Sequence, residues 1–287
     1  MTPATRTLRF RPTRFIALAA ATSAALLGGS AGPVAAAPKE PLSYVALGDS
    51  YASGFGALSG SDTEQYGFCG RSDLGLPGLL DAKKQIDLDE DATCAGAKVA
   101  TEPGGAIDLR EQLVALSADT DLVTISAGGN DAGFGTVAGA CATQPTDVCQ
   151  QVIAATSAKA LPVLAANLDA LYDSIREKAP DATVVVTGYP HLFSPDFGNA
   201  LIPLASQKAF NEGTDALNAV IRQQAEAHGF IFVDLVPRFE RHGLGSRNPW
   251  ITFQPGAVDN LHPTAKGYKS GYYPAVRSAV NFARLQR

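Results

Sequence analysis

The chain of 287 residues is 46% hydrophobic and 18% charged, with 28 glycines, 18 prolines and 4 cysteines. Hydrophobic content near the globular norm, and glycines without a period of three, exclude a disordered or collagen-like chain, and the length suffices for one large α/β domain or two small ones. Arg6, Arg9, Arg11 and Arg14 fall in the first 36 residues, which hold no acid, so the rest carries 19 basic against 28 acidic residues; such an acidic body argues against a nucleic-acid binder, which needs a basic face.

The first segment reads as an address. Arg6 to Arg14 form a basic stretch, Phe15–Gly29 an apolar one, and Val34, Ala35 and Ala36 supply small residues for cleavage. A signal peptide over residues 1–36 is expected, taking the general secretion route because no twin arginine is present. The apolar run is short for a span of roughly 20 residues. An uncleaved anchor is therefore the weaker reading, and no second run of membrane length follows. Residues 37–287 are expected to form a single exported, extracellular domain with no stable membrane span.

Export gives the cysteines their meaning. Cys69, Cys94, Cys141 and Cys149 are an even set in a compartment where disulfides persist. Three pairings are open, of which the local one, Cys69 with Cys94 and Cys141 with Cys149, is the simplest. A metal site is the poorer alternative, since there is no CxxC spacing and no adjacent histidine.

From Leu42 onward the chain alternates between strand and helix patterns. Ser43–Leu47 is a short apolar run ending at Gly-Asp-Ser. The Gly- and Ser-rich stretch Gly54–Leu79 reads as loop, and a weaker strand is expected near Gln85–Leu88. Helical spacing over Ile107–Ser117 precedes Asp121–Ser126, an apolar run suited to a strand buried on both faces. Ala138–Gln150 shows little regular pattern. Helix over Ile153–Lys178, strand over Ala182–Thr187, helix over Pro203–His228, strand over Phe230–Val233 and helix over Thr264–Leu285 complete the order. Strands alternating with helices imply a parallel sheet covered on both faces.

In open α/β sheets, functional groups collect beyond the carboxyl ends of the strands. Four places qualify. Gly48-Asp49-Ser50 follows the first strand, where a serine hydroxyl is exposed beside helix N–H groups that suit a developing oxyanion; alone, the tripeptide is also an ordinary turn and cap. Asp259-Asn260-Leu261-His262 precedes the last helix, and an Asp three residues before a His has the reach to orient its Nδ1 and leave Nε2 to accept a serine proton. Gly128-Gly129-Asn130-Asp131 follows the third strand and offers the Asn130 amide to an oxyanion, although such a composition also makes tight turns. Cys94-Ala95-Gly96-Ala97 offers the Gly96 N–H to the same hole. Asp49 and Asp131 are assigned to hydrogen bonding of their loops. Asp87-x-Asp89-x-Asp91 imitates a calcium loop but has Ala92 and Lys98 where Gly and Glu are needed, so an acidic turn is expected and no metal. His191, His228 and His242 bear no fixed relation to Ser50; His228 suits a helix C-terminus. Trp250, Phe253 and the Gly54–Leu58 loop are candidates for an acyl pocket or for packing alone.

The four blocks in this order resemble the SGNH (GDSL-type) hydrolases, over about Tyr44 to Tyr268. Within that family the chain is most similar to secreted actinobacterial lipases and esterases, through Gly48–Tyr51 (GDSY), Cys69-x-Arg71-Ser72 and Cys94-x-Gly96-Ala97. The resemblance implies a three-layer α/β/α sandwich with a central parallel, flavodoxin-like sheet. It implies Ser50 as nucleophile, His262 as base, Asp259 as its orienting acid, and an oxyanion hole of the Ser50 and Gly96 amides with the Asn130 side chain. Some relatives replace the acid by a backbone carbonyl. The family's cysteine spacing favours the local disulfide pairing; a third disulfide of some relatives has no counterpart here. No cofactor is implied. The expected activity is hydrolysis of acyl esters, most simply lipids, by a monomer; a carbohydrate acetylesterase or phospholipase on the same site and a non-catalytic binding protein are the alternatives.

Overall fold

Continuous apolar runs become the central strands of the computed structural model, which describes residues 40–57, 67–100, 108–198 and 200–285. The predicted signal peptide lies outside these residues. In chain order the principal elements are β1 (Leu42–Gly48), α1 (Ser50–Ser53), α2 (Leu76–Asp81), β2 (Ile86–Asp91) and β3 (Leu122–Ser126). They are followed by α3 (Phe134–Thr143), α4 (Thr146–Lys178), β4 (Thr183–Thr187), α5 (Leu204–Ala227) and β5 (Ile231–Val233). All pairings are parallel, in the order β2-β1-β3-β4-β5. This is the flavodoxin-like order, whose switch point lies between β1 and β3. Helices cover both faces of the sheet, as expected.

Burial follows position in the sheet. Every residue of β3 is buried, whereas β2 at the edge alternates between covered and exposed positions. The Asp87-x-Asp89-x-Asp91 run is therefore this edge strand, not the acidic turn expected. Charges along an exposed edge deter pairing with another chain. On α4, Leu164, Leu168, Leu171, Tyr172 and Ile175 are buried, which gives the amphipathic stripe of a helix covering a sheet. Length and hydropathy alone would let α4 cross a membrane, but this stripe belongs to the core.

Three further expectations change. Residues 138–150, with little apolar rhythm, are helical apart from Gln144 and Pro145: α3 buries only Cys141, and the Cys141–Cys149 disulfide ties it to α4. A covalent tie does there what a hydrophobic face does elsewhere. The stretch expected as helix over Ile107–Ser117 is a 3-10 segment, Leu109–Ala115, opened by Asp108 accepting from the Arg110 N–H; Ile107 lies outside the described residues. The stretch Thr264–Leu285 is broken: Ala265–Gly267 runs through a π turn, Tyr268–Tyr272, into Tyr273–Ala279, with Phe282–Leu285 separate. Pro274, just after the π turn, lacks the N–H that an α-turn would use. Within Gly54–Leu79, the described residues hold a 3-10 turn, Phe55–Ala57, and the start of α2; residues 58–66 lie outside them.

Candidate active site

The site forms at the switch point, where β1 and β3 end side by side. The chain must turn sharply after β1, and Gly48 makes this possible: its φ is +127°, and a Cβ there would lie 2.3 Å from the Ser126 carbonyl oxygen. Gln112 clasps this glycine from both sides, accepting from its N–H at 2.7 Å and donating to its carbonyl at 2.9 Å. Asp49 then caps α1, its carboxylate accepting from the Tyr51 N–H at 2.9 Å. Ser50 is the first residue of α1, a position whose N–H has no intrahelical acceptor.

Ser50 Oγ lies 2.8 Å from His262 Nε2, bridging 212 residues of sequence. His262 Nδ1 faces two backbone carbonyls, Asn260 O at 2.8 Å and Asp259 O at 3.2 Å. This corrects the expectation for Asp259: the residue is in place, but its carbonyl rather than its carboxylate addresses the ring. The cause is Leu261, whose φ of +65° turns the chain so that the preceding carbonyls point at Nδ1. A non-glycine residue there costs about 1–3 kcal/mol, and the Tyr51 hydroxyl helps to hold it by donating to the Leu261 carbonyl.

Carbonyls only accept, so Nδ1 carries the imidazole proton and Nε2 presents its lone pair to Ser50. The ring packs 4.9 Å from Tyr51 and 5.1 Å from Phe55. Burial lowers the His262 pKa, opposed by the Asn260 and Asp259 carbonyl bonds and by the Asp259 charge. The neutral, base-competent ring is thereby favoured.

Asn130 bonds to Ala97, the residue that follows Gly96. Cys94 is bonded to Cys69, its N–H donates to Gly48 O at 3.0 Å, and the Ala95 N–H donates to Cys69 O at 3.0 Å. The next residue, Gly96, has φ +85°, and its N–H has no protein acceptor among the described residues. Asn130 Nδ2 donates to Ala97 O at 3.0 Å, which leaves its second hydrogen available. The Asp131 carboxylate accepts from the Val99 and Ala100 N–H groups at 3.1 and 2.8 Å. Both Asp49 and Asp131 thus hold loops, as expected.

Some candidates lie elsewhere. Trp250 is buried and stacks on His242 at 3.6 Å, while Phe253 is partly exposed. The apolar cleft beside the site is instead lined by residues of α3, α4 and α5. Gly129, next to Asn130, stands in its wall with Phe134, Ile153, Ser157, Leu161 and Phe210, and its volume is about 50 Å³. His228 caps α5, its Nδ1 against Gln224 O at 2.8 Å. Among the described residues, no group of three His, Cys, Asp or Glu side chains is arranged to hold a metal. Phe55, in the Gly54–Leu58 loop singled out from the sequence, packs on His262, whereas sequence reasoning missed Gln112 and Tyr189 and gave Tyr51 no role beyond its motif. Only Tyr189 carried a usable signal, since it follows β4 at the same carboxyl end of the sheet.

A sheet of this order, with a serine and a histidine paired at its switch point, defines the class: a hydrolase-type Ser–His site on a flavodoxin-like α/β/α sandwich. The chain belongs to the GDSL-like lipase/acylhydrolase family, whose sequence profile matches residues 46–270. It is therefore a carboxylic ester hydrolase of the lipase/esterase kind. It is 38% identical to Lipase 1 of Streptomyces coelicolor over 95% of this chain and 99% of that protein. Its structure is similar to the extracellular lipase of Streptomyces rimosus (TM-score 0.74, 37% identity, covering 83% of this chain and 100% of that one). It is also similar to phospholipase A1 of Streptomyces albidoflavus (TM-score 0.76, 34% identity, covering 84% and 100%).

Proposed function

We propose that the protein is a secreted lipase that hydrolyses lipid acyl esters through an acyl-enzyme on Ser50, after loss of a signal peptide over residues 1–36. The observation that carries this reading is the 2.8 Å contact between Ser50 Oγ and His262 Nε2. Ser50 Oγ attacks the ester carbonyl carbon while His262 Nε2 takes its proton. The Asn260 and Asp259 carbonyls stabilise the resulting imidazolium through Nδ1–H. The Ser50 and Gly96 N–H groups and the Asn130 amide receive the negative charge that develops on the carbonyl oxygen. As the C–O bond breaks, His262 returns the proton to the leaving alcohol. Water then attacks the acyl carbon while His262 Nε2 takes its proton; the bond to Ser50 Oγ breaks, His262 gives that proton to Oγ, and the carboxylic acid leaves.

The acyl chain is directed along the cleft beside Gly129, whose lining of Phe134, Ile153, Leu161 and Phe210 offers it apolar contact. A phospholipid is a second substrate reading, favoured by the similarity to the Streptomyces albidoflavus phospholipase A1. The test is covalent labelling by an organophosphonate together with Ser50→Ala. The label should fall on Ser50, and the variant should fold yet lose on the order of 10⁴-fold or more in kcat. A variant retaining a tenth of the activity refutes the assignment.

A further inference from the structure

Tyr189 takes no part in the chemistry above, yet its hydroxyl stands at the centre of the site's framework. The residue follows β4, and its backbone is clasped by Asn218: its N–H donates to Asn218 Oδ1 and its carbonyl accepts from Asn218 Nδ2, both at 2.8 Å. From this anchor the buried phenol reaches across the end of β3. Its hydroxyl donates to the Asp49 carboxylate and accepts from the Gly129 N–H at 2.9 Å. These partners belong to different blocks. Asp49 caps the helix that opens with Ser50, and Gly129 directly precedes Asn130.

The register explains why a bridge is needed. The β1–β3 ladder ends at Gly48 with Ser126, followed by a last bond from the Asp49 N–H to Ser126 O at 2.9 Å. Beyond it, among the described residues, no backbone bond joins residues 50–53 to residues 128–131. The Tyr189 hydroxyl spans this gap with one donor and one acceptor. Its ring also rests on the oxyanion turn, since a Cβ at Gly129 would approach it to 3.1 Å. The same ring meets Tyr51 edge-on at 5.0 Å.

We propose that Tyr189 is a positioning residue that locks the turn bearing Ser50 to the turn bearing Asn130 and so fixes the distance between nucleophile and side-chain oxyanion donor. The inference rests on the roles given above to Ser50 and Asn130. An oxyanion donor works only at the place where charge develops, and a misplacement of about 1 Å costs roughly 10²-fold in rate. Phenylalanine keeps the ring packing and severs both ties.

The test is a double-mutant cycle of Tyr189→Phe and Asn130→Ala, assayed for kcat and KM on p-nitrophenyl butyrate, with thermal unfolding as the check on folding. Asn130→Ala should lower kcat by about 10²–10³. Tyr189→Phe should lower kcat by about 10- to 10²-fold with KM changed less than about twofold. Because Tyr189 acts through Asn130, adding Tyr189→Phe to Asn130→Ala should cost less than about threefold more. Losses that multiply, an effect on KM alone, or an unchanged kcat in Tyr189→Phe overturn the positioning role and leave the ester hydrolase reading intact. Full kcat in Asn130→Ala overturns the oxyanion assignment and the proposal together. If Tyr189→Phe does not fold, Asp49→Asn runs through the same cycle, since it retains an acceptor for the Tyr51 N–H and removes the one facing Tyr189.

Discussion

Asp49→Asn should stabilise the protein above neutral pH and destabilise it in mild acid. Asp49 is 1% exposed, and burial is the dominant influence that pushes its carboxyl pKa up to about 7. The Tyr189 hydroxyl and the Tyr51 and Ala52 N–H groups act in the opposite direction, while Asp131 adds to the rise. The Tyr51 phenol and Tyr268 and Tyr272 of the C-terminal helical segment also interact with it; none of these neighbours is a cation. Unfolded, the carboxyl titrates at about 3.9, so the difference is about 3 units, worth on the order of 4 kcal/mol. The folded state therefore binds more protons between about pH 4 and pH 7, and stability falls as pH rises through that window. Asparagine carries no charge to bury. Its Oδ1 still accepts from the Tyr51 N–H, but its amide meets the Tyr189 hydroxyl as a donor, at a cost of about 1 kcal/mol for the lost hydrogen bond. The variant should thus be about 1 kcal/mol less stable near pH 4 and about 3 kcal/mol more stable above pH 8. Urea unfolding followed by fluorescence of Trp250, the single tryptophan, measures both limits, and titrations shared by the two proteins cancel in the difference. A stability difference that does not change between those limits would refute the reasoning.

Two further changes separate the features of the site. Asp259→Asn retains the carbonyl that faces His262 Nδ1 and should lower kcat less than about threefold, against the ~10⁴ expected where a carboxylate orients the base. Because the Asp259 charge raises the His262 pKa, the same variant should move the acidic limb of kcat/KM to lower pH; an unmoved limb refutes that coupling. Ser157→Leu, which fills the cleft beside Gly129 from α4, should lower kcat/KM for p-nitrophenyl esters with longer acyl chains while sparing the acetate, and equal losses at all chain lengths would exclude this acyl path.

The legible parts of the sequence were those with a local cause. Strands buried on both faces, such as β3 and β4, wrote themselves as unbroken apolar runs; Gly48, Ser50 and Asn130 stood out by following such runs, and His262 by its Asp-x-x-His spacing before the last helix. Which group of Asp259 would face His262 was not legible, because spacing describes reach and not direction. Three residues suffice for a carboxylate to meet Nδ1, but the left-handed Leu261 presents carbonyls first. Gln112, Tyr51 and Tyr189 act across sequence separations of 64, 210 and 140 residues. No local pattern records such contacts; only the folded sheet brings them to one end.

The placement of the first disulfide follows from the same topology. Ser50 and Asn130 extend from β1 and β3, strands held by neighbours on both sides, so the core itself fixes the starting points of their turns. Gly96 has no such support. It follows β2, the edge strand, whose outward positions are exposed acids and whose register against β1 shifts between Tyr44 and Val45. Three ties supply what the edge lacks: the Cys69–Cys94 disulfide, the bond from the Cys94 N–H to Gly48 O, and the Asp131 carboxylate on the Val99 and Ala100 N–H groups. Two of the three lead back to the turns that carry Ser50 and Asn130. In the function proposed above, the Gly96 donor at the edge is thereby referenced to the groups it would act with, rather than to the strand from which it departs.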